Sequence, residues 1–187
     1  AIMTASRLIN WITDKTEENQ KKPPRDLDKL FNPPFTTLHV GKISGGTASN
    51  ITAKKCSFTT DIRCLPLDDG EKIINDYEKY AEKLITQMKE IRPEANISIF
   101  RHHWVPGLKP ENDGFADSLV RKITGENSTG KVSYGTEAGQ FQEEGYSTVI
   151  CGPGSIEQAH QENEFLSREQ LEKGTQFIMS IINEQAN

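Results

Sequence analysis

No apolar run in this chain of 187 residues approaches the roughly 20 residues that a helix needs to span a bilayer. The longest apolar stretches, Thr148–Cys151 and Phe177–Ile182, are the size of a strand or of one helix face. The N-terminus has none of the basic, apolar and small-residue regions of a secretory signal. No membrane partner is therefore expected, and a cytoplasmic location is. Positive charge is also scarce: 22 Lys and Arg against 27 Asp and Glu leave a net −5. The longest basic cluster, Lys21, Lys22 and Arg25, is interrupted by Pro23 and Pro24. Neutralising phosphates takes clustered Lys and Arg, so no nucleic-acid partner is expected either. The three cysteines, Cys56, Cys64 and Cys151, are odd in number and match no zinc-finger spacing. That suggests neither a disulfide framework nor a structural zinc site, and favours reduced, mostly buried thiols. Gly-Xaa-Ser-Xaa-Gly, phosphate-binding loops and dinucleotide fingerprints are all missing, as are internal repeats and low-complexity tracts.

What is present reads as globular, with 34% hydrophobic and 26% charged residues. The length suits one domain or two small ones. Over residues 1–18, Ile2, Ala5, Leu8, Ile9 and Ile12 recur at helical spacing and predict an amphipathic helix with no capping residue before it. The four prolines within Lys21–Pro34 predict a loop. Phe35–Ile43 predicts a strand ending at Gly45-Gly46. Ile51 to Ile62 predicts a second strand whose approximate alternation leaves room for a bulge. Glu71–Ile91 keeps helical spacing, and Asn96–Val105 predicts another strand. Two strands, a crossover-length helix and a further strand make a βαβ-type layer of about 70 residues, the size of a small domain.

A turn-rich Pro106–Pro110 marks the expected boundary, giving domains 1–105 and 106–187. Beyond it the pattern predicts a helix over Asn112–Thr124 capped by Asn112 or Asp113, a short strand Lys131–Tyr134 and a short helix Glu137–Glu144. A buried strand Ser147–Cys151 and a helix Ser167–Glu184, capped by Ser167 with Gln170 three positions on, complete it. The expected class is α/β with a parallel-sheet flavour, thin in strands for a doubly wound sheet.

Four stretches carry possible chemistry. They are Gly45-Gly46-Thr47-Ala48-Ser49-Asn50, Asp61-Ile62-Arg63, Gly135-Thr136-Glu137-Ala138, and Gly152-Pro153-Gly154-Ser155 followed by Ala159-His160-Gln161-Glu162-Asn163-Glu164. A loop histidine after a Gly-Pro-Gly turn offers an imidazole donor suited to zinc. From its residues alone, a solvated loop histidine is the favoured account of His160. Glu137 and Glu164 can orient ligands or substrate, or be solvated as most Glu are. Arg63 can fork onto a substrate carboxylate, or form an ordinary surface pair with Asp61. His39, His102 and His103 have no ligand-type neighbours in sequence and read as structural or surface residues.

Taken together, these stretches resemble a known family. Val40-Gly41-Lys42-Ile43 with Gly45-Gly46-Thr47 and Asn50, then Asp61-Ile62-Arg63 with Leu65-Pro66, resemble the lid or dimerisation domain of the zinc aminoacylase and carboxypeptidase family. Gly135-Thr136-Glu137-Ala138 and Cys151-Gly152-Pro153-Gly154, with Ala159-His160 and Glu164, resemble its acetylornithine deacetylase branch. The resemblance covers nearly the whole chain. It implies an α/β catalytic domain interrupted by a βαβ-type lid/dimerisation domain, with this chain carrying the lid and the C-terminal portion of the catalytic domain. Two zinc ions per complete site are implied, with cobalt a possible substitute. His160 would be the last metal ligand, and Asn50 and Arg63 would bind the substrate carboxylate. Gly135, Thr136, Glu137 and Gly152 would line the substrate pocket, and Glu164 would orient the loop bearing His160.

The implied reaction is hydrolysis of an N-acyl amino acid, N-acetylornithine to ornithine and acetate in arginine biosynthesis, by a homodimer joined through the lid. The family's early His-Xaa-Asp ligand pair, bridging Asp and Glu-Glu pair have no counterpart in the chain, nor does the lid histidine that stabilises the oxyanion. No catalytic residue is therefore assigned here. The expectation is a partial enzyme, a fragment or one half of a split gene, inactive without the missing N-terminal half. Succinyl-diaminopimelate desuccinylation or general N-acyl amino acid hydrolysis would keep the chemistry and change the substrate. A non-catalytic dimerisation or ligand-binding module is the alternative from another class.

Overall fold

The computed structural model describes residues 1–111 and 113–186. Its contacts divide into two compact units, residues 1–107 and the residues from Leu108 onward.

In the first unit, helix α1 (Ile2–Lys21) leads through a single 3-10 turn (Asp28–Leu30) into an antiparallel hairpin, strands β1 (Thr37–Gly45) and β2 (Cys56–Arg63), and then into helix α2 (Gly70–Lys89). Helix α1 starts without a side-chain cap, whereas Asp69 caps α2 by accepting from the Lys72 N–H. Both helices bury one stripe. Leu8 and Ile12 of α1 and Ile73, Tyr77, Ala81 and Leu84 of α2 enclose Leu38, with Trp11, Val40, Phe58 and Ile62 packed around them. The Trp11 and Tyr77 rings tilt at 54° with centroids 5.2 Å apart. Each large apolar side chain so buried contributes about 1.5–3 kcal/mol. Gly70 opens α2 at a tight place, where an added Cβ would lie 2.7 Å from Trp104 Cη2 and 3.0 Å from Cys64 Sγ.

Polar ties close the lower end of the hairpin. Thr16 Oγ1 donates to the Leu38 carbonyl at 2.7 Å and accepts from the Leu38 N–H at 3.1 Å, covering the outer edge of β1. Thr36 is fully buried: its hydroxyl accepts from Leu65 N–H at 2.9 Å and donates to Asp68, while its carbonyl accepts from Asn19 Nδ2 at 3.0 Å. Asp28 Oδ2 accepts from Arg25 Nε at 2.6 Å, and that guanidinium also reaches Asp68 at 2.7 Å. The Arg25 charge holds the Asp28 carboxyl below the usual carboxylate range.

The second unit carries α3 (Phe115–Thr124), α4 (Ala138–Glu143) and α5 (Arg168–Gln185). Glu111 organises its start, accepting from Ser147 Oγ at 2.6 Å, Thr148 N–H at 3.0 Å and Gln142 Nε2 at 3.1 Å. These donors, the Ser147 hydroxyl first, hold the Glu111 carboxyl below its ordinary range. The Gln142 amide also pairs with both backbone groups of Lys109, at 2.8 and 2.9 Å.

The mixed α/β class expected from the sequence holds, built among the described residues on one two-stranded sheet. Several finer expectations do not hold. Asn96–Val105, Lys131–Tyr134 and Ser147–Cys151 form no strand, because none has a ladder partner among the described residues. The βαβ-type layer therefore reduces to a hairpin and its helices, and the parallel sheet expected of the second unit is not formed among the described residues. The bulge falls in β1 and not β2: Val40 pairs with Thr60 and Lys42 with Thr59, so Gly41 is the extra residue. Helix α3 starts at Phe115 with Gly114 at the cap position, and Asp113 before it has a φ of 55°. The other expected cap, Asn112, lies outside the described residues. Only Cys56 and Cys64 are half-buried, and Cys151 is exposed. Burial, helped by Asp68 and Asp69, pushes the Cys64 thiol up to about 11.

Candidate active-site residues

The first unit holds Asn50 and Arg63. Asn50 lies exposed in the connection between β1 and β2, and Arg63 ends β2 opposite Thr37. The alternation of a strand puts Arg63 on the same face as Asp61, two residues earlier. Asp61 in turn is register partner to His39 on β1. Helices α1 and α2 cover the opposite face, through Leu38, Val40 and Ile62, which leaves His39, Asp61 and Arg63 in solvent. Arg63 Nε donates to Asp61 Oδ2 at 2.9 Å, and His39 Nδ1 stands 4.0 Å from that same oxygen. Among the described residues no hydrogen bond or ion pair links Asn50 to Arg63. His39 is a surface residue, as its sequence context suggested. Its place beside Asp61 comes from strand register, for which the sequence offers no local signal.

In the second unit, Gly135, Thr136 and Glu137 form the turn into α4. Thr136 Oγ1 accepts from the Ala138 N–H at 3.2 Å, and the Glu137 carbonyl accepts from Gln140 and Phe141 N–H at 2.9 and 3.1 Å. The 151–166 loop carries Gly152, His160 and Glu164. Its Gly154 has a φ of 96° and would bring a Cβ within 3.1 Å of Leu166 Cδ1. Gln170 on α5 anchors the loop, its Oε1 accepting from the Gly154 N–H at 3.2 Å. The capping pattern is thus half realised. Ser167 Oγ accepts from the Gln170 N–H, but the Gln170 side chain goes to the loop instead of returning to Ser167.

At the loop's tip His160 adopts the left-handed conformation, with a φ of 59°. Its backbone N–H donates to Glu164 Oε2 at 3.0 Å. A non-glycine residue at positive φ stores of order 1 kcal/mol of strain, which persists where surrounding bonds enforce it. The Glu164 carboxylate supplies one such bond and leaves the exposed imidazole free to face outward. The turn at Thr136–Glu137 and the loop at His160 share no hydrogen bond or ion pair among the described residues.

A resident zinc ion needs about three protein ligands. Among the described residues no three His, Cys, Asp or Glu side chains gather as ligands would. The donor set of the described residues alone does not fit a zinc ion.

Known proteins resemble both parts of this chain. Residues 1–89 match the model of a peptidase dimerisation domain. The acetylornithine deacetylase of Myxococcus xanthus is 36% identical over 146 residues, which are 78% of this chain and 37% of that protein. That of Pasteurella multocida is 32% identical over 154 residues, 82% of this chain and 39% of that protein. The solved aminopeptidase PepT of Bacillus cereus superposes with a TM-score of 0.60 at 22% identity, covering 100% of this chain and 45% of its own, a likeness of fold. The chain thus spans about two fifths of the length of the curated relatives it matches. Its motifs, the match to a peptidase dimerisation domain and its relatives agree: over about four fifths of its length the chain is similar to acetylornithine deacetylases.

Proposed function

We propose that the chain forms the lid/dimerisation domain, residues 1–105, and the C-terminal portion of the catalytic domain, residues 106–187, of a metal-dependent amidohydrolase. Its reaction is hydrolysis of the amide bond of an N-acyl amino acid. N-acetylornithine is the favoured substrate, giving ornithine and acetate in arginine biosynthesis. The observation that carries this proposal is 32–36% identity, over about four fifths of the chain, to proteins named acetylornithine deacetylase. In such an enzyme His160 supplies one ligand of a site holding zinc, two ions when complete, with cobalt able to replace it. Glu164 sets the loop that presents His160. The other ligands and the proton-transferring carboxylate come from residues outside this chain, the N-terminal half of the enzyme. Arg63 and Asn50 hold the substrate carboxylate, while Gly135, Thr136, Glu137 and Gly152 line the pocket. The lid joins two copies into a homodimer. No helix of the described residues is long and apolar enough to cross a membrane, and the proposed enzyme works in the cytoplasm.

Hydrolysis adds water to the acyl carbonyl, breaks the C–N bond and leaves the proton on the departing amine. The test is ornithine release from N-acetylornithine by the complete enzyme, before and after chelation and with zinc restored. Chelation should abolish turnover and zinc should return it. Faster turnover of N-succinyl-diaminopimelate would transfer the assignment to that substrate. A metal-free protein that turns over neither compound would be a non-catalytic module.

The carboxylate role of Arg63 yields a separate prediction. Arg63→Ala should raise KM for N-acetylornithine about tenfold to a hundredfold, the range of a lost bidentate contact, with kcat within about twofold. Steady-state kinetics on the variant measures both. An unchanged KM would remove Arg63 from the substrate site.

A further inference from the structure

Arg63 is 77% exposed as a side chain, so in water its long stem samples many rotamers. Among the described residues one side-chain hydrogen bond restrains it. Its Nε donates to Asp61 Oδ2 at 2.9 Å, a bond made from the side of the guanidinium and not from its end. A guanidinium held through Nε keeps its two terminal nitrogens paired and available, which is the fork a carboxylate takes in bidentate fashion. Asp61 thereby selects an orientation as well as neutralising a charge. The strand geometry favours this choice, because alternation puts residues 61 and 63 side by side on the open face. His39 lies directly across the ladder, its Nδ1 4.0 Å from the same Asp61 oxygen.

We propose that Asp61 is a positioning residue for substrate binding. It fixes the Arg63 guanidinium through Nε so that the terminal fork meets the carboxylate of an N-acyl amino acid. This inference rests on the assignment of Arg63 to the substrate carboxylate. The pair is exposed, so its strength, and therefore the benefit of orienting Arg63, is bounded by that of surface ion pairs.

The test is a double-mutant cycle in the complete enzyme with N-acetylornithine. Asp61→Ala should raise KM about threefold to fivefold with kcat little changed. Asp61→Asn keeps an oxygen acceptor for Nε and should restore most of the lost affinity. In an Arg63→Ala background, Asp61→Ala should have no further effect, since there is no guanidinium left to orient. Should Asp61→Ala fail to fold, Asp61→Ser, too short to reach Nε, replaces it in the cycle. If Arg63→Ala raises KM while Asp61→Ala does not, or if the two effects multiply independently, the positioning role is refuted and the Arg63 assignment stands. If Arg63→Ala itself leaves KM unchanged, the assignment fails and the positioning role falls with it.

Discussion

Replacing His160 by alanine in the complete enzyme should abolish turnover and bound metal together. A zinc site with about three protein ligands has no spare donor. Loss of one should lower activity by well over a hundredfold, beyond the 10–100-fold typical when only an outer hydrogen-bond partner of a ligand is removed. The local structure sharpens the contrast. His160 sits at the tip of a loop anchored by the Gln170 contact to Gly154, and its backbone N–H is held by Glu164. Because Glu164 touches the backbone of residue 160 and not its imidazole, Glu164→Ala should cause a smaller loss, in the range of an outer partner. Metal analysis beside the kinetic assay checks both variants. Full metal content and activity in His160→Ala would remove the imidazole from the site.

The largest effect on stability is expected at Leu84. Its side chain is 0% exposed and packs with Leu8, Ile12, Leu38, Ile73, Tyr77 and Ala81. Leu84→Ala removes buried methyl and methylene groups and leaves a cavity that two helices and a sheet face can only partly close. A loss of about 2–5 kcal/mol is expected, at the upper end if the surrounding side chains stay in place. Urea denaturation followed by circular dichroism reads it. Leu171→Ala on α5 is the contrasting variant: Leu171 is 57% exposed, and its truncation should stay within about 0.5 kcal/mol. Equal effects at the two positions would mean that the first unit's stability does not depend on the core around Leu84.

Helices were the most legible elements because their signals are local. The apolar spacing of Ile73, Tyr77, Ala81 and Leu84 predicts the buried stripe of α2, and Ser167 predicts the start of α5. The Asp69 cap was within reach of the same logic, since Asp-Asp-Gly-Glu precedes the apolar positions of α2. Strands were less legible because a strand is defined by its partner. Ile97, Ile99 and Phe100 have strand-like composition, yet no neighbouring backbone among the described residues completes a ladder with them. Ser147–Cys151 shows the same limit, and there the Glu111 carboxylate takes the hydrogen bonds of Ser147 and Thr148. For the candidate site, adjacency linked Arg63 to Asp61, whereas the roles of the other residues, and the link of Glu164 to the loop bearing His160, came only from the family resemblance. Two features had no local signal: His39 meeting Asp61 through register, and Gln170 turning from its helix cap to Gly154.

The polar knot at Thr36 also bears on how the first unit assembles. One residue there joins partners 17, 29 and 32 positions away, Asn19, Leu65 and Asp68, and Arg25 reaches Asp68 across 43. Each tie closes a long loop whose entropy is lost before the contact is gained. The hairpin, the proline-rich segment and the entry to α2 are therefore tied together at one place, and the buried hydroxyl of Thr36 is the bond they share.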